Sequence, residues 1–176
     1  MTEEVRPRWL SVINFLMIKV AWVACVLGGT LPGALVIALM CGLCFYQGRW
    51  QRERSFVVGL ALLGLTLDSI WIHLGILDFG SGTLHFGNLA LAPLWIILLW
   101  VAVGLSLFEA LSFFVRRPIL GAVIVGAAAP LSYSTGAQFG AVVIPSTAML
   151  MVIALVWVVV FGIVFELARR AQNAEL

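Results

Sequence analysis

Six long apolar runs dominate this sequence, and short polar or basic segments separate each run from the next. A helix needs about 20 mostly apolar residues to cross a bilayer. Helices are predicted over residues 9–28, 31–47, 55–76, 93–115, 118–137 and 142–168. We therefore predict an all-α integral membrane bundle of six transmembrane helices, in one domain that covers residues 1–176.

The composition supports a membrane protein and excludes other classes. Hydrophobic residues make up 63% of the 176 residues and charged residues 10%, against about 45–50% and about 25% in soluble domains. The net charge of +2, without a basic cluster, gives no sign of a nucleic-acid partner. The three cysteines lie in apolar runs, which does not indicate a disulfide framework. We expect no cofactor and no metal.

The first apolar run is predicted to be a retained helix. It follows Arg6 and Arg8, as the apolar region of a signal peptide would. However, Glu3 and Glu4 precede these arginines, and Lys19 interrupts the run.

The arginines predict the orientation of the bundle. With six spans, all of them fall on one side: Arg6, Arg8, Arg49, Arg52, Arg54, Arg116, Arg117, Arg169 and Arg170. Cytoplasmic loops of membrane proteins carry the excess of Lys and Arg. Both termini are therefore predicted to be cytoplasmic.

Residues 77–92 alternate between apolar and polar side chains around Gly80-Ser81-Gly82, which predicts a small hairpin over one end of the bundle.

The fifth predicted helix is rich in Gly and Ala, which favours a central position, because small residues let helices approach closely. Pro130 is expected to kink this helix and to free backbone groups near Ser132 and Tyr133.

Asp68 and Lys19 are ionisable residues deep inside predicted spans. Their depths from the arginine side are about 20 Å and about 15 Å at the helical rise. An ion pair would let both remain charged where an isolated charge is costly. Gly64, Asp68, Trp71 and Gly75 follow one helical stripe, and its glycines predict close packing, so Asp68 is expected to point into the bundle. Such a pair can fix helix packing or serve a functional site.

The remaining polar residues suggest a ligand-binding cavity. Glu109 either reaches towards the arginines near Arg116 or lines the cavity, and His73 is predicted to be hydrogen-bonded at the outer interface. The predicted ligand-binding residues are Asp68, Lys19, Ser132, Tyr133, Trp95 and Glu109. No catalytic residue is assigned.

Two other patterns are weak. Cys41 and Cys44 have the C-x-x-C spacing of redox sites, but inside an apolar helix they are better interpreted as buried thiols. His73, Asp78 and His85 have no recognised metal-binding spacing.

Four segments resemble a family of small bacterial inner-membrane proteins of unknown function: NFLMIKVAWVACVLG, LGLTLDSIWIHLGILDF, APLWIILLWVAVGLSL and GAVIVGAAAPLSYSTGAQFGA. The likeness covers about residues 12–145. Its most specific parts are Asp68-Ser69 followed by Gly75, the residues Ala92-Pro93-Leu94-Trp95, and Pro130-Leu131-Ser132-Tyr133 followed by Gly136. Lys19 departs from the family pattern, in which a neutral polar residue is commoner.

The resemblance implies a multi-pass protein of the bacterial inner membrane without an established activity. Members of that family often neighbour genes for modifying membrane fatty acids, which implies a link to lipids. Our first hypothesis is binding or transport of a lipidic or small amphipathic molecule, or of a proton-coupled small solute, in a polar cavity. The alternatives are a lipid-modifying membrane enzyme with Asp68 as acid or base, and an accessory or structural subunit. Membrane lipids are the expected partners.

Overall fold

The computed structural model describes residues 8–174, most of which are helical. The helices are α1 (Arg8–Gly28), α2 (Thr30–Tyr46), α3 (Trp50–His73), α4 (Leu94–Ser106), α5 (Ser112–Val115), α6 (Pro118–Gln138) and α7 (Thr147–Ala174). Within this range, α1, α3, α6 and α7 are long and apolar enough to cross a membrane, while α2 and α4 are shorter apolar helices. The N-terminal Glu3, Glu4 and Arg6 lie outside the described residues.

The main difference from the predicted helices is in the fourth one, expected over 93–115. The helix ends at Ser106, and residues 107–111 form a turn before the short α5. The Leu111 N–H donates to the Ser106 carbonyl at 2.9 Å, and the Ser112 hydroxyl donates to the Glu109 carbonyl at 2.8 Å. These bonds close the turn and direct Glu109 away from the helix.

Other helices differ from their predicted bounds. Helix α3 begins at Trp50 instead of residue 55 and ends at His73 instead of residue 76. The last helix begins at Thr147 instead of residue 142 and continues to Ala174. The fifth predicted helix corresponds to α6, which continues through Pro130 to Gln138.

Gly75 ends α3 and has φ 65°. Its N–H donates to the Ile72 carbonyl, and the Ile76 N–H donates to the Trp71 carbonyl at 2.9 Å. This is a Schellman turn, which favours glycine because the backbone is left-handed there. The prediction that Gly75 packs inside the bundle is therefore wrong, since an added Cβ would meet open space.

A hairpin lies within residues 77–92 as predicted, but it turns at Gly87-Asn88, whereas Gly80-Ser81-Gly82 form a short 3-10 helix before it. Strands β1 (Leu84–Phe86) and β2 (Leu89–Leu91) pair antiparallel, with Leu84 opposite Leu91. The loop before the hairpin is tied to the α6–α7 loop, because Asp78 and Val143 exchange two backbone hydrogen bonds of 3.0 and 2.7 Å. We call the end of the bundle where these loops meet the hairpin end.

The opposite end carries the described arginines. There the Ser11 hydroxyl of α1 lies 3.4 Å from Glu109 after α4, and Glu109 faces Arg49 of the α2–α3 turn. Phe114 of α5 contacts Phe165 near the end of α7. We call this the arginine-rich end, formed by Arg49, Arg52, Arg54, Arg116, Arg117, Arg169 and Arg170.

Helix α4 holds the central position that was predicted for α6. It packs against α1, α2 and α3, whereas α6 packs most extensively against α7. Large side chains connect α3 and α4 to the α6–α7 pair, chiefly Trp100, Tyr133, Trp157 and Phe161. The fold thus contains a four-helix group and a helical pair, joined by aromatic residues.

Candidate functional site

Asp68 is the polar centre of the interface between these two groups of helices. Its side chain is 0% exposed, so no water-sized space borders it. The Trp100 indole N–H of α4 donates to Asp68 Oδ2 at 2.7 Å, and the Tyr133 hydroxyl of α6 donates to Oδ1 at 3.2 Å. Each carboxylate oxygen therefore has a partner from a different helix.

Gly64 places Trp100 where it can reach Asp68. The glycine lies one turn before Asp68 on the same face of α3, and an added Cβ would collide with the Trp100 indole ring. On its other side, Trp100 stacks on Trp157 of α7 with ring centroids 5.1 Å apart. The Gly64 part of the predicted stripe is thus a close-packing position, as expected.

Ser69 connects the same region to the start of α4. Its hydroxyl donates to the Leu65 carbonyl at 2.6 Å and accepts from the Ala92 N–H at 3.0 Å. Asp68 and Ser69 are therefore adjacent residues of α3 that connect it to two other helices. Asp68 contacts α4 and α6, and Ser69 contacts the chain just before α4.

The predicted ion pair between Lys19 and Asp68 does not form. Lys19 is exposed on α1, and its ammonium lies 5.3 Å from the centroid of the Phe15 ring, one turn nearer the arginine-rich end. Helix α4 packs against both α1 and α3 and stands between the two residues. The depths differ as well: Asp68 lies about 8 Å from the hairpin end of α3, whereas Lys19 lies about 14 Å from the corresponding end of α1.

Two more predicted residues lie away from the carboxylate. Ser132 is exposed, and its hydroxyl accepts from the Trp22 indole N–H of α1 at 3.1 Å. Trp95 is half-buried beneath the hairpin loop, where its ring meets Phe79 edge-on at 5.7 Å. Of the six predicted residues, only Asp68 and Tyr133 come together.

Glu109 belongs to a second buried polar cluster, at the arginine-rich end. It lies 3.8 Å from Arg49 Nε, while Arg49 Nη1 lies 2.6 Å from both carboxylate oxygens of Glu53. Arg49 is 3% exposed and Glu53 0%. The expected contact of Glu109 with the arginines includes Arg49 of the α2–α3 turn.

The cysteines are free, and the Cys44 thiol donates to Glu53 Oε2 at 3.4 Å. His73 is exposed at the end of α3, and its Nδ1 lies 2.8 Å from the Ser69 carbonyl, as expected for a hydrogen-bonded interfacial histidine. Asp78 accepts from the Gly80 N–H at 2.8 Å. Within residues 8–174, no group of His, Cys, Asp and Glu side chains is placed to hold a metal ion.

Residues 11–163 match the model of a family described as "Protein of unknown function (DUF2878)". The chain belongs to this family. No curated protein and no solved structure matches the chain. In this family member, residues that carried the sequence resemblance meet in space: the Tyr133 hydroxyl donates a hydrogen bond to Asp68, and the Ala92 N–H donates one to Ser69.

An apolar groove of about 580 Å³ lies beside this core, between α3 and α7. Its walls include Phe56, Gly59 and Leu63 from α3 and Val160, Ile163 and Leu167 from α7, with Ser55 nearest the arginine-rich end. Leu60 and Val164 also line it, and both pack in the hydrophobic cluster that contains Trp100. The groove is therefore backed by the tryptophan that bonds Asp68.

Sequence reasoning missed Trp100, Trp157 and the groove. One signal for Trp100 was available: counted from the hairpin end, Asp68, Trp100 and Tyr133 lie about 8, 9 and 8 Å along their helices. A tryptophan N–H at the depth of a buried carboxylate is a suitable donor. The groove carries no sequence signal, because its walls are ordinary apolar residues.

Proposed function

We propose that this protein spans the bacterial inner membrane six times, with both termini in the cytoplasm, and binds a lipidic or small amphipathic molecule. The molecule enters sideways from the bilayer into the groove between α3 and α7. This keeps the ligand class expected from the sequence, but moves the site from a polar cavity at Asp68 to an apolar groove beside it.

The path of the chain supports six spans. Successive connections alternate between the two ends: the α2–α3 turn and the α4–α6 connection lie at the arginine-rich end, while the hairpin and the α6–α7 loop lie opposite. Helix α2 has 17 residues and α4 has 13. At 1.5 Å per residue they reach about 26 and about 20 Å, and the turn after Ser106 continues α4 towards its end of the bundle.

The distribution of charge supports cytoplasmic termini. At the arginine-rich end, Arg49, Arg116 and Arg117 lie in connections and Arg52 and Arg54 lie in the first turns of α3, whereas the connections at the hairpin end contain no Lys or Arg. Basic loops remain on the cytoplasmic side of membrane proteins.

The groove is the observation that carries the binding proposal. Its volume lies in the range of about 300–1,000 Å³ that is typical of small-molecule sites, and its apolar lining at membrane depth suits a hydrocarbon chain. By contrast, the surroundings of Asp68 are filled, and both of its oxygens are bonded. Asp68 therefore fits the role of a residue that holds the wall of the groove in place.

A substitution that fills the groove with a side chain tests this proposal. Gly59 lines the groove, and an added Cβ there meets open space. The full chain is purified in detergent, and retained lipid is detected by native mass spectrometry. Gly59→Leu should lose the lipid. Gly42→Leu is the matched control, because Gly42 is exposed on α2, outside the groove, and equally unobstructed. If wild type retains no lipid, or Gly59→Leu retains as much as wild type, the binding proposal is wrong.

One observation favours a second function, that of an accessory or structural subunit. Asp68 makes the contacts expected of a packing residue, with no water-sized space beside it. Comparing the lipids of a deletion strain with those of its parent also separates the alternatives. An altered set of fatty acids in the deletion strain favours a lipid-modifying role, and unchanged lipids favour the accessory one.

A further inference from the structure

We infer that the ligand of the groove is an anionic phospholipid of the cytoplasmic leaflet, with one acyl chain between α3 and α7 and its phosphate near Arg52 and Arg170. This inference rests on the proposed function and specifies its ligand. It is carried by the length of the groove and by the charges at its arginine-rich end.

The groove has the length of one leaflet. From Ser55 to Leu63, its α3 wall measures about 12 Å at the helical rise. The hydrocarbon core of a bilayer is about 30 Å thick, so one leaflet contributes about 15 Å. The groove starts near the arginine-rich end and ends near mid-membrane, which is the path of an acyl chain from the cytoplasmic leaflet.

Arg52 lies on α3 one turn before the groove residue Phe56, towards the arginine-rich end. It shares a helical stripe with Phe56, Gly59 and Leu63, which line the groove. Its guanidinium packs 5.2 Å from the centroid of the Phe108 ring, which holds it beside Phe56.

Arg52 makes one long contact with a carboxylate, that of Glu53. Its Nη2 lies 3.4 Å from Glu53, and its Nε is buried, without a hydrogen-bond partner among the described residues. The side chain is 29% exposed. Glu53 makes its closer ion pair with Arg49, at 2.6 Å, and Arg49 also faces Glu109 at 3.8 Å. The exposed part of this side chain, and not its buried Nε, is therefore what can meet a phosphate.

Arg170 occupies the corresponding position on α7. It follows Ile163 and Leu167 on one stripe, and its side chain is 73% exposed. Glu166 pairs with both Arg169 and Arg170, so two arginines share one carboxylate. With Arg52 across the groove, the end of the groove has a net positive charge.

This charge selects the headgroup. Basic pockets between transmembrane helices on the cytoplasmic side bind anionic lipid headgroups, and Arg presents a fork that matches phosphate oxygens. The Ser55 hydroxyl, which lies at the same end of the groove, adds a neutral hydrogen-bonding group. A zwitterionic headgroup would bring a second positive charge to this place and would bind less well.

The experiment is a competition in native mass spectrometry. The full chain in detergent is offered equal amounts of phosphatidylglycerol and phosphatidylcholine with identical acyl chains. Wild type should prefer phosphatidylglycerol. In Arg52→Gln and in Arg170→Gln, the ratio of bound phosphatidylglycerol to bound phosphatidylcholine should fall about fivefold. Arg52→Lys should keep most of it, because the charge remains.

Arg117→Gln is the matched control. Arg117 is an exposed arginine at the same end of the bundle, but it borders a different depression at the start of α6, with its guanidinium 4.6 Å from the centroid of the Phe113 ring. It should leave the preference unchanged. Since Arg170 is largely exposed, Arg170→Gln should remain folded even if Arg52→Gln does not.

The outcomes separate this inference from the proposed function. Equal binding of both lipids by wild type, abolished by Gly59→Leu, would leave the groove as a lipid site and overturn the anionic headgroup. An equal loss in Arg117→Gln and Arg170→Gln would overturn it too, because general surface charge would then explain the preference. Binding that Gly59→Leu does not alter would instead contradict the proposed function itself.

Discussion

Asp68 and Tyr133 are 65 positions apart in the sequence, yet the Tyr133 hydroxyl donates to Asp68 Oδ1 at 3.2 Å. This bond crosses from α3 to α6, between the four-helix group and the helical pair. The Trp100 N–H occupies the other oxygen at 2.7 Å. The carboxylate therefore acts as the polar connection in an interface that is otherwise aromatic and aliphatic.

Asp68→Leu should destabilise the protein, whereas Asp68→Asn should be tolerated. Leucine leaves the N–H of Trp100 and the O–H of Tyr133 buried without partners. Asparagine can accept from Trp100 with its oxygen and donate to the Tyr133 hydroxyl with its amide. Interhelical hydrogen bonds in membrane proteins contribute about 0.6 kcal/mol on average and up to about 1.7. We expect a loss of about 1–3 kcal/mol for Asp68→Leu, measured as thermal unfolding in detergent.

A stable Asp68→Leu protein would contradict the connecting role. A stable Asp68→Asn protein that no longer retains lipid would show instead that the charge itself is needed for binding.

Gly64→Ala should disturb the same interface from the other side. The new methyl group would collide with the Trp100 indole, which must move away from Asp68 and Trp157. Overpacking of this kind typically costs about 1–3 kcal/mol. Gly59→Ala, five residues earlier on α3, meets open space and should not destabilise. Thermal unfolding and the tryptophan emission spectrum of both variants check this, and equal stability would show that Trp100 yields freely.

Much of the fold could be predicted because its signals are local. Apolar runs, arginine clusters and the glycines of residues 77–92 located the six apolar helices and the hairpin. The break after Ser106 could not be predicted in this way, because residues 107–111 contain neither Pro nor Gly. That turn is stabilised by tertiary contacts, since Glu109 faces Arg49 from α2–α3 and Ser11 from α1.

The site was only partly predictable for a similar reason. Helical periodicity identified the inward face of Asp68, and the expected break at Pro130 pointed to Tyr133 as a companion. Which helices are neighbours is not encoded in depth, so Lys19 was assigned to the wrong partner while Trp100 was missed. Arg49 and Glu53 were hidden among loop arginines, although the i,i+4 spacing of the pair is a recognisable signal.

Lys19 and Asp68 should show no energetic coupling. Lys19 is exposed over Phe15, and α4 separates α1 from α3. A double-mutant cycle with Lys19→Gln and Asp68→Leu, measured by thermal unfolding in one detergent, should be additive within about 0.5 kcal/mol. A coupling above about 1 kcal/mol would restore the ion pair that the sequence suggested.

Glu53→Gln should be among the most damaging single changes at the arginine-rich end. It leaves Arg49, which is 3% exposed, without its closest counter-charge. Breaking a buried pair by removing one partner typically costs about 3–5 kcal/mol. Glu166→Gln removes a more exposed carboxylate of two arginines and should change stability little. The fraction of monodisperse protein after heating compares the variants, and equal behaviour would contradict a structural role for Arg49–Glu53.

The proposed topology predicts opposite signals from reporters placed in two connections. A fusion after Asp78, in the loop of the hairpin end, should give active alkaline phosphatase and dark green fluorescent protein, because that loop is expected to be periplasmic. A fusion after Arg117, between α5 and α6, should give the reverse. The comparison is sensitive to α4, whose 13 residues are short for a span. If both fusions report the cytoplasm, the chain crosses the membrane an even number of times between Asp78 and Arg117, so α4 does not span it and the six-span arrangement fails. If both report the periplasm, the chain crosses an even number of times between the two points, and the cytoplasmic assignment of the arginine-rich end fails with it.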